Sequence, residues 1–171
     1  MTTYAITVIA HDRPGIIARV ADALAAEELN LADSSMTVLR GQLAMTLICT
    51  GSTEVAQVQA AMTAAAGDDL IIHVHRITDE AESVPAGQSY LLVVHGADRL
   101  GIVARVTGVL AAGGGNITDL TTHLAGDLYA LTAEVDLAAG VDVELLRSKI
   151  DSVAAELGVG AQLRAVEQDE L

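Results

Sequence analysis

The sequence predicts an α+β fold in which two small βαββαβ domains follow one another, each an antiparallel sheet with both helices on one face. Three observations support this prediction: the chain repeats itself, each half alternates strand and helix patterns in the same order, and the composition is that of a folded protein. Of its 171 residues, 51% are hydrophobic and 19% are charged. Such a chain has enough apolar side chains for a core, which excludes intrinsic disorder.

The repeat appears when the sequence is compared with itself at a shift of 86 residues. Positions 4–50 then align with 90–136 without a gap, and 16 of the 47 pairs are identical. A weaker match continues beyond an insertion near residues 138–141, where Gly67 aligns with Gly158. Two repeats of this size indicate two copies of one domain. We expect domain one over 1–78, a linker over 79–88 that is rich in acidic residues, Ala, Pro and Gly, domain two over 89–167 and a short tail over 168–171.

The first repeat contains six elements. A β-rich run over 4–9 is broken by Asp12–Gly15, and apolar residues then recur at helical spacing from Ile16 to Glu27. The remaining elements are a strand over 30–39, a strand over 43–49, a helix that starts at residue 55 and stops near residue 67, and a strand over 70–77.

The second repeat has the same order of elements. They are predicted over 90–95, 102–112, 116–124, 128–135, 143–157 and 159–166. Two right-handed β-α-β crossovers in this order give the ferredoxin-like arrangement, with one sheet face left uncovered. The strands are apolar on both alternations, as Ile6 and Val8 on one side and Ala5 and Ile9 on the other show. We therefore expect the second face or an edge to be buried in a homodimer or between domains.

The charge and the cysteine content exclude several classes of function. Nine Lys and Arg against 23 Asp and Glu give a net charge of −14, which disfavours direct binding to nucleic acids or to anionic membranes. The single cysteine, Cys49, excludes an internal disulfide and a multi-cysteine metal site. No signal peptide or membrane span is recognisable, so we expect a cytoplasmic protein without metal or cofactor.

A duplicated motif follows the first strand of each repeat. Residues Asp12 to Arg19 recur as Asp98 to Arg105, at a strand-to-helix turn. Asp12 can cap the helix, Pro14 suits its first position, and Gly15 allows close approach of a ligand or another backbone. The free N–H groups at the start of the helix favour a carboxylate or a phosphate.

In this context the sequence resembles the ACT domain, a small-molecule regulatory module of amino-acid metabolism. The resemblance rests on the strand, the run Asp-Arg-Pro-Gly-Ile-Ile, the helix and the run Asn-Leu-Ala-Asp from residue 30. The tandem arrangement is similar to the glycine cleavage system transcriptional repressor family. The resemblance implies a small amino-acid effector, glycine or serine favoured, bound between ACT domains. Serine-binding members carry a His two residues before the turn, where this chain has Ala10 and Gly96.

The candidate ligand-binding residues come from both repeats. They are Asp12, Arg13, Pro14, Gly15, Ile16 and Asn30 in the first, and Asp98, Arg99, Gly101, Ile102 and Asn116 in the second. A carboxylate of Asp12 or Asp98 can pair with an ammonium group, and an Asn amide offers both a donor and an acceptor.

Structural roles for the same side chains stay open. Asp12 can simply cap its helix, Asn30 can end one in a left-handed conformation, and Arg13 and Arg99 can form surface ion pairs instead of binding a carboxylate. His73 and His75 share one face of a predicted strand. That spacing could hold a metal, but no third ligand lies nearby in the sequence, so a solvated or edge-strand face is favoured.

Three functions follow from these observations. The favoured one is a non-enzymatic amino-acid sensor that acts on a protein partner, because the turn is duplicated and no catalytic set is recognisable. An enzyme is the second, since this type of fold also hosts catalysis. The third is a ligand-free interaction or oligomerisation module.

Overall fold

The computed structural model describes residues 1–78 and 87–166, except for the side chain of residue 68. The chain divides into two compact units, Met1–Ala81 and Glu82–Leu171. Residues 79–86 of the expected linker and the whole expected tail lie outside the described residues. Residues 87 and 88, which we had assigned to the linker, are the first two residues of a strand.

The first unit is a four-stranded antiparallel sheet with two helices. Its elements are β1 (Thr2–His11), α1 (Ile16–Ala26), β2 (Asn30–Leu39), β3 (Gln42–Gly51), α2 (Val55–Ala66), a 3-10 turn (Gly67–Asp69) and β4 (Leu70–Ile77). The strand order is β2-β3-β1-β4, so that β2 and β4 are the edges.

The second unit repeats this plan. Its elements are β5 (Gly87–Ala97), α3 (Ile102–Ala112), β6 (Gly115–Ala125), β7 (Leu128–Ala138), α4 (Val143–Leu157) and β8 (Val159–Ala165). The strand order is β6-β7-β5-β8. The predicted tandem βαββαβ fold is confirmed, with several strands longer than the patterns indicated.

Each core lies between a sheet and its own two helices. Alternate residues of β1, namely Tyr4, Ile6 and Val8, are completely buried, whereas Ile9 on the other alternation is 48% exposed. Because successive strand residues point to opposite faces, the alternation of Tyr4 enters the core, and on the other alternation of β1 only the small Ala5 is buried. Ile71 of β4, also on the outer alternation, is 60% exposed. The second apolar alternation noted in the sequence therefore remains partly at the surface.

The start of each first helix depends on a glycine. Gly15 precedes α1 with φ +91°, and Gly101 precedes α3 with the same φ. No side chain caps either helix, so the expected cap by Asp12 is wrong, and Pro14 lies before the capping residue instead of at the first helical position. A Cβ added at Gly15 would meet nothing within 4 Å. Glycine is needed here for its left-handed backbone conformation, since no other backbone approaches it closely.

The two edges of the first sheet differ. All ten residues of β2 are exposed. On β4, by contrast, the Gln59 side chain of α2 donates to the Ile72 carbonyl at 3.0 Å and accepts from the Val74 N–H at 2.7 Å. This amide occupies the backbone groups that an added strand would use, so β4 is a protected edge and β2 is an open one.

Substitution of the helix-start glycine gives a stability prediction with a matched control in the same unit. Gly101→Ala should destabilise the protein by about 1–2 kcal/mol, because an L side chain is strained at this φ. Gly108→Ala lies inside α3, where a new Cβ meets nothing within 4 Å, and should stabilise by about 0.5–1 kcal/mol. Urea unfolding measures both. Equal effects of the two substitutions would contradict the conformational role of Gly101.

Candidate functional site

The duplicated turn of the first unit opens onto a cleft of about 480 Å³. Its walls come from the turn, from the first residues of α1, and from one residue each of β2 and β3. They are Asp12, Arg13, Pro14, Gly15, Ile17, Ala18, Met36 and Leu43. Four of the residues predicted from the motif thus lie together around one cleft.

The backbone fixes the position of Asp12 at the mouth of the turn. Its N–H donates to the Gly41 carbonyl at 2.8 Å, which ties the end of β1 to the β2–β3 hairpin. In the second unit the N–H of Asp98 donates to the Asp127 carbonyl at 3.3 Å. Both acidic side chains are exposed. They are therefore available to a cationic group without any loss of an existing side-chain contact.

The start of α1 supplies the opposite electrostatic character. Because no side chain caps this helix, the first-turn N–H groups at Ile16, Ile17 and Ala18 have no side-chain acceptor. These groups carry the positive end of the helix dipole. The cleft therefore has a carboxylate beside a helix start that favours an anion. These are the two partners that the positive and negative groups of a zwitterion require.

Two predicted residues do not present their side chains to the cleft. Ile16 and Ile102 are each 2% exposed and belong to the cores of their units. Their side chains pack on the sheet, because each occupies the first inward position of its helix, so only the backbone of these residues is open to a ligand. Ile17 and Met36 line the cleft instead, and we did not predict them. The position of Ile17, one residue after the buried Ile16 on a helix, is the sequence signal that could have found it.

Asn30 lies at the other end of its unit from Asp12. It is the first residue of β2 and is opposite Thr50, which is in turn opposite Thr3 at the start of β1. Asp12 follows the last residue of β1, so the two are separated by most of a ten-residue strand, roughly 30 Å at 3.3 Å per residue. Asn116 and Asp98 are separated in the same way.

Neither Asn therefore reaches the turn of its own unit. Asn30 does not end α1 in a left-handed conformation either, because Glu28 has the positive φ of 56° there.

Arg13 forms the ion pair that we had considered as its structural role. Its guanidinium donates to the Asp69 carboxylate, and both side chains are about half exposed, at 46% and 52%. The hydrogen bond from Arg13, followed by its charge, lowers the pKa of Asp69. An exposed pair of this kind contributes little to stability. The Arg13 guanidinium is paired with Asp69 although Arg13 lines the cleft.

Arg99 has no such partner. The strand registers pair Ala10 with Leu70 in the first unit and Gly96 with Val159 in the second. Asp69 precedes Leu70 and Gly158 precedes Val159, so Asp69 and Gly158 occupy equivalent positions. A Cβ built on Gly158 would lie 3.7 Å from Arg99 Nη2, which places the guanidinium over this glycine. Within residues 1–78 and 87–166, Arg99 makes no ion pair. The two turns therefore differ in whether their arginine is free.

The other titratable groups matter for two kinds of site, a metal site and a reactive thiol. No group of three or more His, Cys, Asp or Glu that could hold a metal occurs among the described residues. Cys49 is buried, and burial raises the pKa of its thiol, which keeps it protonated. No helix in the described part of the chain is long and apolar enough to cross a membrane.

Comparison with known proteins decides the family. The sequence model of the ACT domain matches residues 2–75 and again residues 88–164. The chain belongs to the ACT domain family. The two matches correspond to the two βαββαβ units, which confirms a tandem ACT-domain protein and places it among regulatory domains.

Some relatives of this ACT protein match less than half of the chain, and others match nearly all of it. An UPF0237 protein of Methanopyrus kandleri is 43% identical over 70 residues, which are 40% of this chain and 78% of that protein. The structure of an unknown protein from Galdieria sulphuraria has a TM-score of 0.82 at 28% identity and covers 97% of this chain and 99% of its own.

A candidate glycine cleavage system transcriptional repressor is also similar in structure. Its TM-score is 0.73 at 18% identity, with 98% of both chains covered. This likeness shows the fold.

The Arg13–Asp69 pair predicts a specific dependence of stability on pH. A carboxyl group whose pKa is lowered by folding stabilises the protein above its ordinary value of 3.8, and that contribution is lost as the pH falls through the lowered value. The thermal midpoint of Asp69→Asn should therefore be slightly below that of the unsubstituted protein at about pH 6, and the difference should shrink at about pH 3, below the ordinary pKa of 3.8.

Asp22→Asn is the control, because Asp22 has no ion-pair partner among the described residues. A midpoint difference for Asp69→Asn that is the same at both pH values would contradict the ion pair as its cause.

Proposed function

We propose that this ACT protein is a non-enzymatic regulator that binds a small amino acid at the first-turn cleft and acts through a protein partner. The observation that carries the proposal is the uncapped start of α1, which opens beside Asp12 onto a cleft of about 480 Å³. The carboxylate of Asp12 would hold the effector's ammonium group. The N–H groups of Ile17 and Ala18 would hold its carboxylate.

The lining of the cleft supports a small effector. Asp12 and Arg13 are the polar side chains among its lining residues, and Arg13 is engaged by Asp69. Pro14, Ile17 and Met36 are apolar, so a large polar side chain would lose its hydrogen bonds to water without replacement. Glycine and serine, which the similarity to the glycine cleavage repressor also favours, have few such groups to satisfy.

The second unit would bind its effector differently. Its turn has the same left-handed glycine and an equivalent carboxylate in Asp98, but Arg99 is free to pair with the effector carboxylate. A guanidinium can hold a carboxylate with two parallel hydrogen bonds. The proposed contacts of this unit are therefore Asp98, Arg99 and the backbone that begins at Gly101.

A protein partner fits the charge of the chain. A net charge of −14 disfavours direct contact with nucleic acid, so regulation of transcription would be indirect. Binding of the effector would change the protein surface at the turn, and the protein partner would respond to that change.

A second candidate function, an interaction module, is favoured by one observation. All of β2 is exposed, including large apolar residues. These are Leu31 at 47%, Met36 at 45%, Val38 at 41% and Leu39 at 62%. Because β4 is protected by Gln59 and β2 is not, we propose that homodimers form by pairing of β2 edges.

Amino-acid binding is tested by thermal melting in the presence of each of the twenty amino acids. A ligand that binds only the folded state stabilises it by about 2.7 kcal/mol at a hundred times its Kd, so glycine or serine should raise the midpoint by several degrees. Asp12→Asn combined with Asp98→Asn should abolish the increase, and Asp22→Asn should retain it. No increase with any amino acid at millimolar concentration would contradict the sensor function and favour the interaction module.

Dimerisation is tested by sedimentation equilibrium at micromolar concentration. The protein should sediment as a dimer, and Val38→Glu on β2 should shift it toward the monomer, because a charge would be buried at the paired edge. Ile71→Glu, on the protected edge β4, is the control and should leave the dimer intact. A monomer without substitution, or loss of the dimer only in the control, would contradict pairing through β2.

A further inference from the structure

The edge strand β4 carries two histidines at alternate positions. His73 and His75 are both exposed, while Ile72 is buried and Val74 half-buried on the other alternation. The two imidazoles therefore project from the same face, the one turned away from α2. Because β4 is an edge strand, one side of this pair faces no other strand of the sheet.

Neither imidazole is bonded to a polar group in the described part of the chain. Neither His73 nor His75 makes a hydrogen bond or an ion pair within residues 1–78 and 87–166, whereas His11 contacts Gln42 at 3.1 Å. The residues of β1 that lie opposite them are Thr7 and Ala5, which are small and uncharged. Nothing on the neighbouring strand therefore blocks or neutralises the space in front of the pair.

The spacing of the two side chains suits a shared ligand. Residues two apart on a strand are separated by roughly 6.7 Å. Imidazole nitrogens that bind one transition-metal ion lie about 2.0–2.1 Å from it, and each imidazole can lean along the strand toward the other. A His-X-His pair on a strand can therefore place two nitrogens on one ion.

We propose that His73 and His75 chelate one divalent transition-metal ion, of the class of Zn²⁺, Ni²⁺ and Cu²⁺, with water in the remaining coordination positions. Imidazole nitrogen prefers these ions to Mg²⁺ and Ca²⁺, which take oxygen ligands. No third His, Cys, Asp or Glu joins the pair among the described residues. The site is therefore open and binds its ion reversibly, in contrast to the closed four-ligand sites that stabilise folds. It is independent of the amino-acid site proposed above.

Calorimetric titration of the full chain, without an affinity tag, tests this proposal. NiCl₂ and ZnCl₂ should each bind at one equivalent per chain, and MgCl₂ should give no binding. His73→Asn and His75→Asn should each weaken binding by at least about tenfold, since each removes one of two protein ligands. His123→Asn is the matched control, a single exposed histidine on β6, and should bind like the unsubstituted protein.

A second readout identifies the ligands directly. The electron paramagnetic resonance spectrum of bound Cu²⁺ should show coupling to two imidazole nitrogens, and to fewer in each single variant. Thermal midpoints without metal should be the same for all variants, because the substituted side chains are exposed. No binding by the unsubstituted protein, or undiminished binding by the variant with both substitutions, would overturn the proposal.

Discussion

The left-handed glycine at the start of α1 and α3 is the constraint on which the candidate site depends. Gly15 and Gly101 both have φ +91°, and this conformation lets the chain leave a strand and enter a helix within a few residues. Because no side chain caps either helix, the first N–H groups remain available. In the proposed site, this fold requirement provides the group that would hold an anion, and the preceding Asp provides the group that would hold a cation.

The duplication has preserved the turn but changed its surroundings. Arg13 is held by Asp69, whereas the equivalent of Asp69 in the second unit is Gly158, over which Arg99 lies. One substitution of an acidic residue by glycine therefore separates an engaged arginine from a free one. Two domains with the same fold can in this way differ in how readily their arginine pairs with an anionic group.

The fold could be predicted almost completely from the sequence. Apolar periodicity follows from burial, and the internal repeat shows the same periodicity twice. The site could be predicted only in part. The alternating pattern predicted that a strand begins at Asn30, but the motif did not show that this start lies at the far end of the sheet from Asp12. That separation follows from the topology. Because β1 and β2 run in the same direction, the start of β2 lies at the same end of the sheet as the start of β1, and Asp12 follows the opposite end of β1.

The expected cap by Asp12 is wrong because of the backbone conformation at the turn. Asp before a helix usually caps it, and only the backbone shows that Gly15 occupies the capping position itself. Met36 lines the cleft because the β2–β3 hairpin lies beside the turn. This is a contact between the motif and elements that are distant from it in the sequence. Such contacts follow from packing and not from local spacing.

The central claim is that the uncapped helix start beside Asp12 is where the effector binds. Amide chemical-shift mapping by two-dimensional NMR, with glycine and then serine titrated into the labelled full chain, tests it most directly. The account predicts that the largest shifts will be at the amides of Gly15, Ile17 and Ala18, with smaller changes near Asn30. Saturable shifts that cluster elsewhere, with this turn unchanged, would contradict it.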